Sequence, residues 1–198
     1  VVHMATAMKM LLELELYDWL ALAVFFGGWF WYAMFAKLHS TTTPSVLAST
    51  NRIRREWMYQ ATWRDNRVID SVLVQNLSSS PAFFASTTIL VIGALLALLS
   101  ATEWVQQIPF TAQTSVLVFD LKILLLTCVF VYAFFRFTWA MRQYGFGALL
   151  IASAPDAKQF EDRGGSAATS RDAFADRAGH VMALAAEAFN EGLRGYYM

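Results

Sequence analysis

The densest group of binding-competent side chains is Arg52, Arg54, Arg55 and Trp57, within the run NRIRREWM at residues 51–58. Three guanidiniums beside an indole suit anionic headgroups or an acidic partner, each cation near such a surface contributing about 1 kcal/mol. The competing explanation is the simple bias of cytoplasmic segments toward Lys and Arg. A phosphate-handling enzyme would add a glycine-rich loop or metal-binding carboxylates, and neither accompanies the cluster. Asp120 and Arg136 are charges inside one long apolar run, where ionisable groups are expensive and often functional. Arg136 lies about four residues from the run's cytoplasmic end, so an anchoring role by snorkelling is favoured over a ligand role. The two are ~24 Å apart along a helix and form no intrahelical pair. Asp120 falls in the first turn, where the helix dipole favours an anion.

Other candidates carry less chemistry. His180 and Glu187, seven residues apart, share a helical face, but the Glu-x-x-His spacing of a bundle metal site is missing and His3 and His39 are remote. Thr41–Thr43 and Ser78–Ser80 read as turn and capping hydroxyls without a nearby base. The single cysteine, Cys128, has no partner for a disulfide. No enzyme activity, cofactor or metal is therefore expected.

The elements that would position these residues are dominated by three apolar runs, Trp19 to Ala36, Pro81 to Ala101 and Val116 to Met141. Each is about 20 residues long, matching a helix that crosses a ~30 Å hydrocarbon core. Hydrophobic residues make up 57% of the 198-residue chain and charged residues 15%, against the ~25% charge of a soluble domain. The formal charge of zero argues against nucleic acid as a partner. Glu13, Glu15 and Asp18 precede the first run, and Lys37 and His39 follow it. A cleaved signal peptide would have a basic region before the run and a small-residue cleavage site after it, so the run is expected to be a retained span. Val1 to Ala5 show no structural pattern.

Charge asymmetry orients the spans. Lys37, Arg52, Arg54, Arg55, Arg64 and Arg67 lie between the first and second, whereas residues 102–115, between the second and third, hold no Lys or Arg. Arg142, Lys158, Arg163, Arg171 and Arg177 follow the third. The positive-inside rule then puts residues 45–79 and 142–184 in the cytoplasm, the amino terminus outside, and Trp104 near the outer interface.

The first cytoplasmic segment is expected to be one helix of ~25 residues, starting at Thr50 or Asn51 and ending near Ser78–Ser80. Ile53, Trp57, Met58, Ala61, Val68, Val72 and Leu73 would form its apolar face. Arg52, Arg55, Glu56, Arg67 and Asp70 would form the opposite face, with Arg52 and Glu56 four apart. Pro81 would sit in the first turn of the second span. Tyr144 to Ala154, interrupted by Gly145, Gly147 and Pro155, reads as a surface-lying or packed segment. Residues 156–170 read as a linker. A last amphipathic helix is expected from about Ser170, capped by Ser170-Arg171-Asp172, with Phe174, Ala178, Val181, Met182, Ala185, Phe189 and Leu193 on its packing face.

Small residues point to close helix packing. Gly93, Ala97 and Ala101 recur every four positions in the second span, and Gly27-Gly28 makes a slot in the first. Such surfaces let helices approach within one chain or between subunits.

Four blocks in order, NRIRREWM (51–58), PAFFASTT (81–88), AFFRFTWAMRQ (133–143) and FNEGLRGYY (189–197), strongly resemble the bacterial and plant membrane proteins grouped as domain of unknown function family 599. The resemblance covers roughly Tyr17 to the end. It implies no established activity or catalytic residue. It does imply four spans, with an apolar stretch after the block resembling FNEGLRGYY, so residues 185–198 are expected to begin a fourth span that this chain leaves incomplete.

The expected fold is an all-α, polytopic membrane helical bundle with spans at about 17–38, 81–101 and 116–141, the start of a fourth at 185–198, and cytoplasmic amphipathic helices. The expected function is a noncatalytic helical assembly in the bacterial cytoplasmic (inner) membrane, with lipids and either copies of itself or other membrane subunits as partners. The alternative is a channel or transporter for ions or small solutes, with Arg136, Asp120 or the basic cluster selecting; its weakness is the scarcity of polar residues to line a path.

Overall fold

The computed structural model describes residues 16–39, 46–101, 116–162 and 167–197, and these are all-helical, with no strand among them. The helices are α1 (Leu16–His39), α2 (Val46–Ala61), α3 (Val68–Ser100), α4 (Val116–Ala152), α5 (Ala157–Asp162) and α6 (Ala167–Tyr196). Two of them, α3 and α4, are long and apolar enough to cross a membrane; α1 carries a shorter apolar core, Trp19–Tyr32. The expectations for Val1–Ala5, His3, Thr41–Thr43 and Trp104 fall outside the described residues.

The single long helix expected from Thr50 or Asn51 to Ser78–Ser80 is replaced by two elements. α2 ends at Ala61, and the chain turns through Thr62 to Arg67 before α3 begins. Trp63 N–H donates to the Gln60 carbonyl at 3.1 Å, tightening the last turn of α2, and the Asn66 side-chain oxygen accepts from Val68 N–H at 3.0 Å. Apolar periodicity is continuous across this corner, so it hid the break. Two arginines stabilise the corner instead. Arg67 donates to the carbonyls of Ala61 at 3.3 Å, Ala154 at 2.5 Å and Pro155. Arg171, fully enclosed, donates to the Thr62 carbonyl at 2.7 Å and the Ala157 carbonyl at 2.9 Å.

After the corner, α3 runs without interruption through Ser78–Ser80 and Pro81 to Ser100. Pro81 lies inside the helix, where it removes one backbone donor. It is buried, and packing by Val74 before it and Ala85 after it carries the helix across. As a consequence the expected apolar face divides: Met58 and Ala61 are buried, while Ile53, Val68, Val72 and Leu73 are exposed.

α4 likewise continues to Ala152 through Gly145 and Gly147, so residues 144–152 extend the third apolar helix. Helix α5 occupies part of the expected linker, and α6 begins three residues before Ser170. Arg171, expected in a cap, is instead drawn inward.

Helices α3, α4 and α6 form the bundle, with α2 laid against α6. Contacts run in opposite senses along α4 and α6: Gly147 faces Met182, Gly192 faces Phe137, and Gly195 faces Ala133 and Tyr132. The two helices are therefore antiparallel. One core, at the charged end, gathers Met58, Val74, Tyr144, Ile151, Phe160, Phe174 and Met182. A second, further along the bundle, centres on Ala85, Ala133 and Phe137 with Phe84, Phe189 and Tyr196 around them.

Candidate functional site

The structure separates the members of the basic cluster. On α2, Arg52 is exposed, and Arg54 donates to the Asn51 side-chain oxygen at 2.7 Å. Arg55 reaches α6, pairing with Asp176 at 2.5 Å and Asp172 at 3.1 Å. The hydrogen bond to Asp176, then that to Asp172, holds its guanidinium above the ordinary arginine pKa. Trp57 turns inward and donates its indole N–H to Asp70 at 2.7 Å.

Asp70 is the polar centre of this end. It is fully buried, and the same oxygen that accepts from Trp57 also accepts from Arg64 at 2.6 Å. Its other oxygen has no partner among the described residues. A buried carboxylate needs such charge-assisted bonds to offset desolvation. Beside it, Arg171 stacks over Trp63, 3.7 Å from the ring centroid, and lies 5.1 Å from that of Phe160. These groups lock a corner: both terminal guanidinium nitrogens of Arg171 donate to carbonyls of the chain, and Arg64 and Trp57 donate to the Asp70 carboxylate.

Sequence reasoning put Asp70 and Arg171 on exposed or capping faces and so missed their roles. An acidic residue three positions after an Arg67 that ends a polar turn was the available signal. Nothing in the spacing linked Arg171 to Thr62, more than a hundred residues earlier.

Arg136 is partly buried on α4 and pairs with Glu191 of α6. Asp120, expected in the first turn of its helix, lies just beyond the first turn of α4, which holds no acidic residue; it is partly buried and engages another group. The structure does not bring it to Arg136. Gly27, Gly28 and Gly93 meet open space: a Cβ at any of them would touch nothing within 4 Å. Ala97 is exposed and Ala101 half-buried. The close approaches within the chain fall at other glycines, namely Gly147, Gly179 and Gly192. His180 and Glu187 are both exposed on α6, and among the described residues no three His, Cys, Asp or Glu side chains are grouped to hold a metal.

With these blocks placed, the comparison with known proteins is decisive at the level of family. The model of the family described as "Protein of unknown function, DUF599" matches residues 20–198. The chain belongs to this family. No curated protein and no solved structure matches it. All four blocks of the resemblance lie within the matched region. In the fold, three of them converge: Phe84, Phe137, Phe189 and Tyr196 make ring contacts at centroid distances between 5.4 and 6.2 Å. The fourth block supplies Arg55, Trp57 and Met58 to the charged corner. In this chain the matched region folds as a helical bundle with an aromatic centre and a polar, arginine-stapled end.

Proposed function

We propose that this DUF599 protein is a noncatalytic integral membrane protein of the bacterial cytoplasmic membrane that assembles through its helices, as a homo-oligomer or an accessory subunit of a membrane complex. The observation carrying this reading is the outward-facing apolar surface of α3 and α4: only 11% and 17% of their most apolar stretches is buried within the chain. Water would penalise that surface at roughly 25 cal/mol per Å², whereas lipid accommodates it.

On this reading α1, α3 and α4 cross the membrane out-to-in, in-to-out and out-to-in. The arginine-stapled corner lies at the cytoplasmic side, and the end of α6, from about residue 185, enters beside α4 as the start of a fourth crossing. The open faces of Gly27, Gly28 and Gly93 support assembly, because small surfaces unused inside the chain allow close approach by another helix. The engagement of Arg136 by Glu191 lowers its suitability as the selector of a conduit.

The test is retention in the membrane pellet after alkaline carbonate, followed by native mass spectrometry from mild detergent. The reading expects retention and either a multimer or a co-purifying subunit, with Gly93→Leu weakening the association. A strict monomer that co-purifies with nothing overturns the assembly reading.

A further inference from the structure

Arg194 lies on the part of α6 that meets α1. No described carboxylate lies within ion-pair distance of it, and its guanidinium carbon is 6.0 Å from the Tyr32 ring centroid on α1. It is also the junction of two adjoining cavities between α1, α4 and α6. One, of about 520 Å³, is bounded by Tyr32, Asn190, Leu193, Arg194 and Tyr197. The other, of about 460 Å³, is bounded by Phe26, Trp29, Phe30, Tyr132, Glu191 and Arg194. The first presents two phenols, an amide and the cation. The second is walled by aromatic rings, with Trp29 and Tyr132 in edge contact at 6.0 Å. Its one acid, Glu191, is neutralised by Arg136.

We propose that this two-part cleft binds an anionic phospholipid, with its phosphate at Arg194, Asn190 and the Tyr32 hydroxyl, and an acyl chain along Phe26, Trp29, Phe30 and Tyr132. The inference rests on the membrane reading above. Polar and apolar halves meeting at a cation with no described carboxylate are complementary to a molecule with a charged head joined to a hydrocarbon tail, whereas a free anion would leave the aromatic half unfilled. Depth agrees as well. Gly192 and Gly195 set Arg194 level with Ala133–Phe137 of α4, and helical side chains lean toward their own N-terminus, here the cytoplasmic side. Arg194 therefore reaches toward Asn190 and the headgroup zone, as a snorkelling cation does.

The full chain in mild detergent is titrated with phosphatidylglycerol, or with phosphatidylcholine of the same acyl chains, and bound lipid is read by native mass spectrometry. Wild-type protein is expected to prefer phosphatidylglycerol about fivefold, the equivalent of ~1 kcal/mol for one cation. Arg194→Gln abolishes the preference, Arg194→Lys keeps it, and Trp29→Leu weakens both lipids alike. Asn190→Leu reduces the preference and provides the reading if Arg194→Gln does not fold. Wild-type protein that is held in the membrane yet binds both lipids equally overturns the lipid site and leaves the membrane reading intact. A preference unchanged in folded Arg194→Gln also overturns it, as does displacement of the lipid by inorganic phosphate alone. Release of wild-type protein by carbonate instead removes the membrane reading beneath it.

Discussion

Gly192 of α6 lies directly on the ring of Phe137 of α4: a Cβ at position 192 would stand 2.5 Å from Phe137 Cε1 and 2.7 Å from Cδ1. Phe137 is fully enclosed and contacts Phe84, Phe189 and Tyr196. The absent side chain at 192 is therefore what lets α6 come close enough to complete the aromatic centre. Gly147 repeats the relation with Met182 at the other end of the same helix pair, and Gly179 lets the α2 backbone at Arg55 approach α6.

Gly192→Ala is expected to destabilise the protein by about 1–2 kcal/mol, overpacking against a rigid buried ring outweighing the helix-propensity gain of Ala. Gly147→Ala should be much milder, because the atoms it meets belong to the flexible thioether end of Met182. Thermal unfolding of both variants in one detergent checks the order. Equal Tm values would mean that α6 does not sit on Phe137 as described.

Much of this architecture was legible from the residues. Long apolar runs located α1, α3 and α4, because a 20-residue apolar helix has few alternatives to burial or lipid. The amphipathic α6 was legible from the spacing of Phe174, Ala178, Met182 and Ala185, all of which are buried. The corner after Ala61 was not, since Met58 and Val74 belong to one core although they lie on two helices. Periodicity reports a face but not where the axis changes direction. Pro81 and Gly147 misled in the other direction: both are buried, and packing kept the helices intact where local propensity suggested ends. The polar corner was illegible because Arg67 and Arg171 reach carbonyls on segments remote in sequence, while Asp70 meets Trp57 and Arg64 only because the chain turns between α2 and α3.

Arg171→Lys is expected to behave as a disruptive change. Lys cannot donate to the Thr62 and Ala157 carbonyls together while stacking flat on Trp63. Leaving those buried acceptors unpaired costs on the order of 3 kcal/mol. Limited proteolysis at the corner between α2 and α3, compared with wild type, reads the loosening. A Lys variant as resistant as wild type would show that the staple contributes little.

Asp70→Asn should lower stability by about 2 kcal/mol, as expected for charge-assisted hydrogen bonds to a buried acceptor. Because Arg64 and Trp57 share one Asp70 oxygen, the losses should not add. In a double-mutant cycle Arg64→Met is expected to cost much less in the Asp70→Asn background than in wild type. Strict additivity of the two unfolding free energies would sever Arg64 from Asp70.

Arg55, paired with Asp172 and Asp176 at an exposed surface, should respond differently from these buried groups. Arg55→Gln is expected to produce a small loss of stability at low salt that vanishes near 1 M salt, where the screening length is only ~3 Å. Its raised pKa adds stability that is fully present below the ordinary arginine value and is lost only as pH rises through the still higher folded value. The pair should accordingly be insensitive to Arg55 titration over the whole neutral range. Unfolding midpoints at two salt concentrations decide this; a salt-independent loss would place the pair in a drier environment than its exposure indicates.

Arg136 and Glu191 can be distinguished as a pair or as independent groups by the sign of their coupling. If Arg136 only anchors α4 by reaching headgroups, Glu191→Gln is neutral and Arg136→Gln costs the same in either background. If each charge is retained because the other offsets its desolvation, either single change strands an ion within the bundle. The partial burial of both side chains, 28% and 34% exposed, places that loss below the ~3–5 kcal/mol of a fully buried pair, at about 1–2 kcal/mol. The double variant Arg136→Gln with Glu191→Gln should then be more stable than either single variant, since no lone charge remains. Detergent unfolding of the four proteins measures it. Recovery in the double variant assigns Arg136 to the helix pair, whereas additive losses assign it to the lipid interface.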